Sequence, residues 1–155
     1  ELINFSLQLG SDVPFFINPL PSFAESRGEV LKSFEIKINK PVLIINPGIH
    51  ISTSWAFGNI TPRQPENSLT KISAKDFETI SSLKNIITND FEKIVFEKYT
   101  EIASIKNQLY KYGAEFAIMT GTGSTVFGIF NTLDDAKYAS DTFNKKYFRF
   151  IHYEI

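Results

Sequence analysis

Apolar residues recur along this chain with two spacings, and the alternation between them predicts its elements. Leu2, Ile3, Phe5, Leu7 and Leu9 predict the end of an amphipathic helix that stops at Gly10. The stretch Gly10-Ser11-Asp12-Val13-Pro14-Phe15-Phe16 reads as a turn feeding a short apolar segment. Residues 22–25 and 29–34 flank Arg27-Gly28 and predict two short strands around a turn. Residues 41–46 predict a buried strand, stopped by Pro47-Gly48. Residues 52–57 predict a short helix capped by Ser52 or Thr53. Two prolines make 61–67 a loop, and Ser73 with Asp76 resembles the capping box of a helix over 73–83.

Beyond Asn89-Asp90 the period becomes firmly helical. Phe91, Ile94, Val95 and Tyr99 share one face, and Thr100 restarts a helix that turns Ile102, Ile105 and Leu109 inward and ends at Gly113. A strand at 115–119, a glycine-rich turn at 120–124 and a second strand at 125–130 follow. A helix over 133–143, opened by Asp134 and Asp135, and an alternating strand over 148–154 complete the chain. From residue 41 the order is strand, helices, strand, strand, helix, strand. That is the split βαβ order of an α+β, ferredoxin-like domain, with an antiparallel sheet covered by helices on one face. Residues 1–35 do not belong to that pattern. They read as the tail of a preceding domain, with 36–155 as the domain proper, so the chain is expected to begin inside a larger protein.

Composition narrows the functional classes. With 155 residues, 43% of them hydrophobic and 21% charged, the chain has the balance of a globular protein rather than a disordered one. The formal net charge of −1 supplies no basic face for nucleic acid. The longest apolar run is only strand-sized, so no membrane span is expected. The absence of cysteine removes a disulfide frame, a thiolate nucleophile and a cysteine metal site, and it fits a reducing cytoplasm. His50 and His152 lack a third partner at metal-ligand spacing.

Three stretches can carry chemistry. In Thr120-Gly121-Thr122-Gly123-Ser124 two glycines let the backbone approach a bound group, and backbone N–H groups and hydroxyls suit an anion such as phosphate. A plain hairpin turn reads equally from the same residues. Asp12, two residues before Pro14, is either a cap or a carboxylate that takes a proton from a hydroxyl. The segment Ser52-Thr53-Ser54-Trp55-Ala56-Phe57 offers aromatics that either stack on a flat ring or bury themselves.

Taken in order, Leu9 to Phe16, Ala24-Glu25-Ser26-Arg27-Gly28-Glu29, Asn46-Pro47-Gly48 with Ser52-Thr53 and Phe57, Asn89-Asp90, and Gly113-Ala114 with Met119 to Ser124 closely resemble the C-terminal half of the 4-diphosphocytidyl-2-C-methyl-D-erythritol kinases, a branch of the GHMP kinase superfamily. The resemblance implies a kinase of non-mevalonate isoprenoid biosynthesis that moves the ATP γ-phosphoryl to the 2-hydroxyl of that alcohol, with ATP and Mg2+ as cofactors. It implies that Asp12 takes the hydroxyl proton and that Phe57 stacks on the cytosine ring, with Thr53 beside the same pocket. It places Thr120, Gly121, Thr122, Gly123 and Ser124 near the phosphates. The family's Pro-x-Gly-x-Gly-Leu-Gly-Gly-Ser-Ser loop, the lysine partner of the aspartate and the first aromatic of the cytosine sandwich do not occur here. They are expected in a preceding N-terminal half, without which the fragment is expected to be inactive. Its partners are then that half and a small-molecule substrate, with a homodimer of the fragment through its exposed N-terminal segment as a further expectation. A homoserine- or mevalonate-type GHMP kinase and a non-catalytic ferredoxin-like binding module remain as alternatives.

Overall fold

The computed structural model of the chain describes residues 2–10, 12–17, 19–61, 69 and 72–153. The chain divides into two compact units, Glu1–Lys37 with Ser68–Glu78, and Ile38–Asn67 with Thr79–Ile155.

The smaller unit holds helices α1 (Leu2–Leu9) and α2 (Val13–Ile17) and the hairpin of β1 (Ser22–Glu25) and β2 (Val30–Ser33). Helix α1 buries only Ser6 and leaves Leu2, Phe5 and Leu9 exposed. The segment after Gly10, read from sequence as turn and apolar stretch, closes into the single helical turn of α2. Strands β1 and β2 pair antiparallel from Ser22 opposite Ser33 to Glu25 opposite Val30.

The larger unit is a four-stranded antiparallel sheet of β3 (Val42–Asn46), β4 (Phe116–Met119), β5 (Val126–Ile129) and β6 (Phe148–His152), in the order β4-β5-β3-β6. Helices α3 (Thr53–Gly58), α4 (Phe91–Lys98), α5 (Thr100–Lys111) and α6 (Leu133–Thr142) complete it. The central position of the first strand, between the third and the last, is the ferredoxin-like arrangement expected from the element order. Strand β3 alternates strictly, with Leu43 and Ile45 fully buried and the residues between them half-exposed. They share one hydrophobic core with Val126 of β5, Ala117 and Met119 of β4, and Val95, Ile102, Ile105, Leu109, Ala136 and Ala139 from the helices. Each fully buried aliphatic side chain of this size contributes about 1.5–3 kcal/mol.

One element departs from the sequence expectation. The helix over 73–83 is two short 3-10 segments, Ala74–Phe77 and Ile80–Asn85, which fall in different units. The capping box forms, with the Ser73 N–H donating to Asp76 Oδ2 at 2.8 Å. The run then breaks at Thr79, whose backbone is extended. The Ser82 hydroxyl donates to the Thr79 carbonyl at 2.7 Å, the local bonding by which serines compete with regular helix. Of the loop expected at 61–67, all but Thr61 lies outside the described residues, as does the end of the strand expected to reach Glu154.

Candidate active site

The glycine-rich turn joins β4 to β5 and is closed by two backbone bonds. The Thr120 N–H donates to the Thr125 carbonyl and the Gly123 N–H to the Thr120 carbonyl, both at 2.9 Å. Gly121 and Gly123 have positive φ, 50° and 94°. They face different surroundings. A Cβ on Gly123 would lie 2.8 Å from Ile51 Cδ1 and from Met119 Sδ, whereas one on Gly121 would meet nothing within 4 Å. The turn is thus packed down at Gly123 and open at Gly121. Among the described residues, the N–H groups of Gly121 and Thr122 donate to no protein acceptor. Consecutive free N–H groups on an open, positive-φ turn are the donor set that fits a phosphate. Thr120 is exposed and Thr122 half-buried, while Ser124 is buried, at 5% exposure.

Three polar side chains brace this turn from the elements around it. The Asn89 Nδ2 donates to the Met119 carbonyl at 2.7 Å and to the Gly121 carbonyl at 2.8 Å, while its Oδ1 accepts the Phe91 N–H at 2.9 Å. Glu92 Oε1 accepts the Met119 N–H at 2.9 Å. Asn46 Nδ2 donates to Thr125 Oγ1 at 2.8 Å, and its Oδ1 accepts the Gly48 N–H at 2.7 Å. In the sequence Asn46 read as the end of a strand and Asn89 as a helix cap, both also as members of the resemblance, and Glu92 was not singled out. An asparagine at a helix start reads as a cap. Nothing in local spacing shows that its amide reaches a turn thirty residues onward.

Phe57 lies near the end of α3, whose N-terminus is capped by Ser52, the Trp55 N–H donating to its hydroxyl at 3.3 Å. Thr53 is the first, exposed residue of that helix. Phe57 is 61% exposed and packs edge-on against Phe91, with ring centroids 5.0 Å apart and planes at 72°. Its free area can take a flat ring. Trp55 is already engaged, edge-on to Tyr99 and with Lys98 Nζ 4.0 Å from its ring centroid. The Phe57–Phe91 pair and the glycine-rich turn therefore adjoin the same N-terminus of α4, the one through packing and the other through Asn89. A cleft of about 650 Å³ opens beside it, lined by Asn59, Thr61, Asn89, Asp90, Lys93 and Glu97 among others.

Asp12 belongs to the smaller unit. It is exposed and immediately precedes α2, and its backbone carbonyl accepts the Phe15 N–H at 3.2 Å. Its carboxylate abuts the 26–29 turn, for a Cβ on Gly28 would stand 3.2 Å from Asp12 Oδ1. Gly28 has φ +105°. The turn is closed by Glu29, whose Oε2 accepts the Arg27 N–H at 2.8 Å. Bonding to its own backbone N–H, then to the Ser26 hydroxyl and Arg27, holds the Glu29 carboxyl below its ordinary pKa. The two sequence blocks Leu9 to Phe16 and Ala24 to Glu29 thus meet at one carboxylate. Among the described residues there is no group of three His, Cys, Asp or Glu suited to a metal ion, and no helix long and apolar enough to cross a membrane.

The larger unit is thus an α+β domain of ferredoxin-like strand order with a braced glycine-rich turn, and its class follows from its relatives. The chain belongs to the GHMP kinase family: the family's C-terminal domain, described as "GHMP kinases C terminal", matches residues 68–149. Among its relatives are proteins named 4-diphosphocytidyl-2-C-methyl-D-erythritol kinase. That of Bacteroides fragilis is 38% identical over 84% of this chain and 47% of its own length. That of Azobacteroides pseudotrichonymphae is 42% identical over 84% of this chain and 48% of its own. The chain spans about half the length of the curated relatives it matches. A crystal structure of 4-(cytidine 5'-diphospho)-2C-methyl-D-erythritol kinase matches 91% of this chain and 52% of its own, with TM-score 0.75 at 23% identity. Homoserine kinase from Cytophaga hutchinsonii matches 79% of the chain and 44% of its own, with TM-score 0.57 at 15% identity. At those identities the two structures are likenesses of fold.

Proposed function

We propose that this chain is the C-terminal half of an ATP-dependent kinase that phosphorylates the 2-hydroxyl of 4-diphosphocytidyl-2-C-methyl-D-erythritol, a step of non-mevalonate isoprenoid biosynthesis. The observation that carries the reading is that relatives bearing this one name align at 38–42% identity over 84% of the chain. Each unit, taken by itself, carries residues that fit the reading. ATP, bound with Mg2+, supplies the γ-phosphoryl group, and the residues of this chain that would lie against its phosphates are Thr120, Gly121, Thr122, Gly123 and Ser124. The exposed carboxylate of Asp12 takes the proton of the attacking hydroxyl. The hydroxyl oxygen then forms the new P–O bond as the bond to the β-phosphate oxygen breaks, and ADP leaves. Phe57 stacks on the cytosine ring with Thr53 beside it. A reaction that consumes ATP is assigned to the cytoplasm in this reading.

The exposed Leu2, Phe5 and Leu9 of α1 fit the same reading. We assign their cover to the further half that the relatives possess. In its absence the face is available to a second copy, as an exposed apolar patch favours.

The test is ATP-dependent phosphorylation by the full-length gene product, followed by phosphorus NMR of the alcohol product. Transfer to the cytidyl-linked alcohol is the expected outcome. Transfer to homoserine or mevalonate in its place would move the protein to another branch of the family. Binding without transfer to any of the three would refute the kinase reading.

A further inference from the structure

We propose that Asn89 is the positioning residue of the glycine-rich turn, setting the shape in which the turn meets phosphate. The inference rests on the reading above for the identity of the nucleotide, but its geometry stands apart from it. Both N–H bonds of the Asn89 amide are spent on carbonyls of the turn and its root, Gly121 and Met119. The amide oxygen is spent on the Phe91 N–H at the first residue of α4. One side chain thus pins three backbone groups from two elements, and helix capping accounts for only one of them. Gly121 is where the pin matters most. It has an open side and a positive φ, so neither packing nor a β-carbon restrains it there. The Asn89 bond holds its carbonyl, and with the carbonyl fixed the next peptide N–H, that of Thr122, has a defined direction. Glu92 restrains only the root of the turn, through the Met119 N–H.

The discriminating substitution is Asn89→Asp. It keeps size and the Oδ1 acceptor for Phe91, and it replaces both donors with an oxygen facing two carbonyls. The first measurement is amide hydrogen exchange on the full-length protein. Exchange at Thr120 and Gly123, whose N–H groups close the turn, is expected to accelerate by about tenfold or more, while that of Phe91 stays put. The second is steady-state kinetics of the full-length kinase. KM for ATP is expected to rise by about tenfold, with KM for the alcohol substrate within about twofold of wild type. A melting temperature that falls while turn exchange and both KM values stay unchanged would make Asn89 a merely structural residue and overturn the proposal. Unchanged exchange with unchanged KM would overturn it too. If Asn89→Asp does not fold, Asn89→Ala removes the donors without adding charge and carries the same expectations for the turn amides and for both KM values, while Phe91, which loses its Oδ1 acceptor, is expected to exchange faster as well. If the wild-type kinase transfers phosphate to none of its substrates, the functional reading falls, and the exchange measurement still decides the role of Asn89.

Discussion

The carboxylate of Asp12 rests against the one face of Gly28 where a side chain would begin, 3.2 Å from an ideal Cβ. That glycine also has φ +105°, a conformation that L side chains rarely adopt. Gly28→Ala therefore meets two obstacles at once. Backbone strain of this kind costs about 1–3 kcal/mol, readable as a shift in the urea midpoint. The contact also forces Asp12 or the turn to move by a few tenths of an ångström. If Asp12 takes the hydroxyl proton as proposed, activity of the full-length protein is expected to fall further than the stability change explains, since that transfer would depend on the direction of the carboxylate. Activity that merely tracks the folded fraction would show that the contact is incidental.

The two glycines of the 120–124 turn are expected to differ. Gly121→Ala incurs the positive-φ penalty alone, for its side is open. Gly123→Ala adds a methyl 2.8 Å from Ile51 Cδ1 and Met119 Sδ, both belonging to buried residues. Overpacking a filled core costs about 1–3 kcal/mol beyond the backbone term. Chemical denaturation should rank Gly123→Ala as clearly the less stable variant. The opposite ranking would mean that the turn is not packed as described.

These cases show what the chain alone discloses. The first strand of the sheet was legible because residues 41–46 form an apolar run stopped by Pro47-Gly48, and helix α5 because Ile102, Ile105 and Leu109 repeat on one face. The turn at 120–124 was legible from its glycines. The 3-10 break near Thr79 was not, since hydrophobic period and a capping box both favour continuous helix, whereas the Ser82 hydroxyl bonds locally to the Thr79 carbonyl. The braces were hidden for another reason. Asn89 and Glu92 act on groups brought near by the hairpin, and a side-chain bond across such a separation leaves no periodic trace.

Tyr147 provides a pH test of the larger unit. Its hydroxyl donates to Glu101 Oε1 at 2.5 Å, and that bond, with burial and the glutamate's charge, raises its pKa to about 12 from 10.0. The folded value exceeds the unfolded one, so the folded state holds the proton more tightly. The resulting stabilisation is full below pH 10 and is lost as pH climbs from about 10 to about 12. Urea unfolding across that window should show a loss of stability that Tyr147→Phe lacks. Equal slopes for the two proteins would contradict the Tyr147–Glu101 bond.

Phe57 is exposed and touches Phe91 only edge-on, so Phe57→Ala should leave the melting temperature nearly unchanged. If the ring stacks on cytosine, the loss falls on substrate binding. Aromatic stacking on a base is worth about 1–3 kcal/mol, so KM for the cytidyl substrate should rise several-fold or more with KM for ATP steady. Phe57→Tyr should restore it. A rise in the ATP value alone would assign the ring to the nucleotide.

Asp12→Asn separates the two readings of that residue. The amide has nearly the size of the carboxylate, and Asp12 enters α2 through its backbone carbonyl, which the substitution retains. An asparagine also caps a helix as well as an aspartate does. A structural role therefore predicts near-normal turnover. The catalytic role predicts the reverse, because an amide does not take the hydroxyl proton. Loss of a general base lowers turnover by about 10²- to 10⁴-fold, and loss of the negative charge beside the transferring group adds to that. KM for ATP should change little, since in the proposed site the phosphates rest on the glycine-rich turn rather than on Asp12. The measurement is kcat of the full-length variant on the cytidyl-linked alcohol, with circular dichroism to establish folding. A folded variant with wild-type kcat would remove Asp12 from the chemistry and leave it a turn residue held against Gly28.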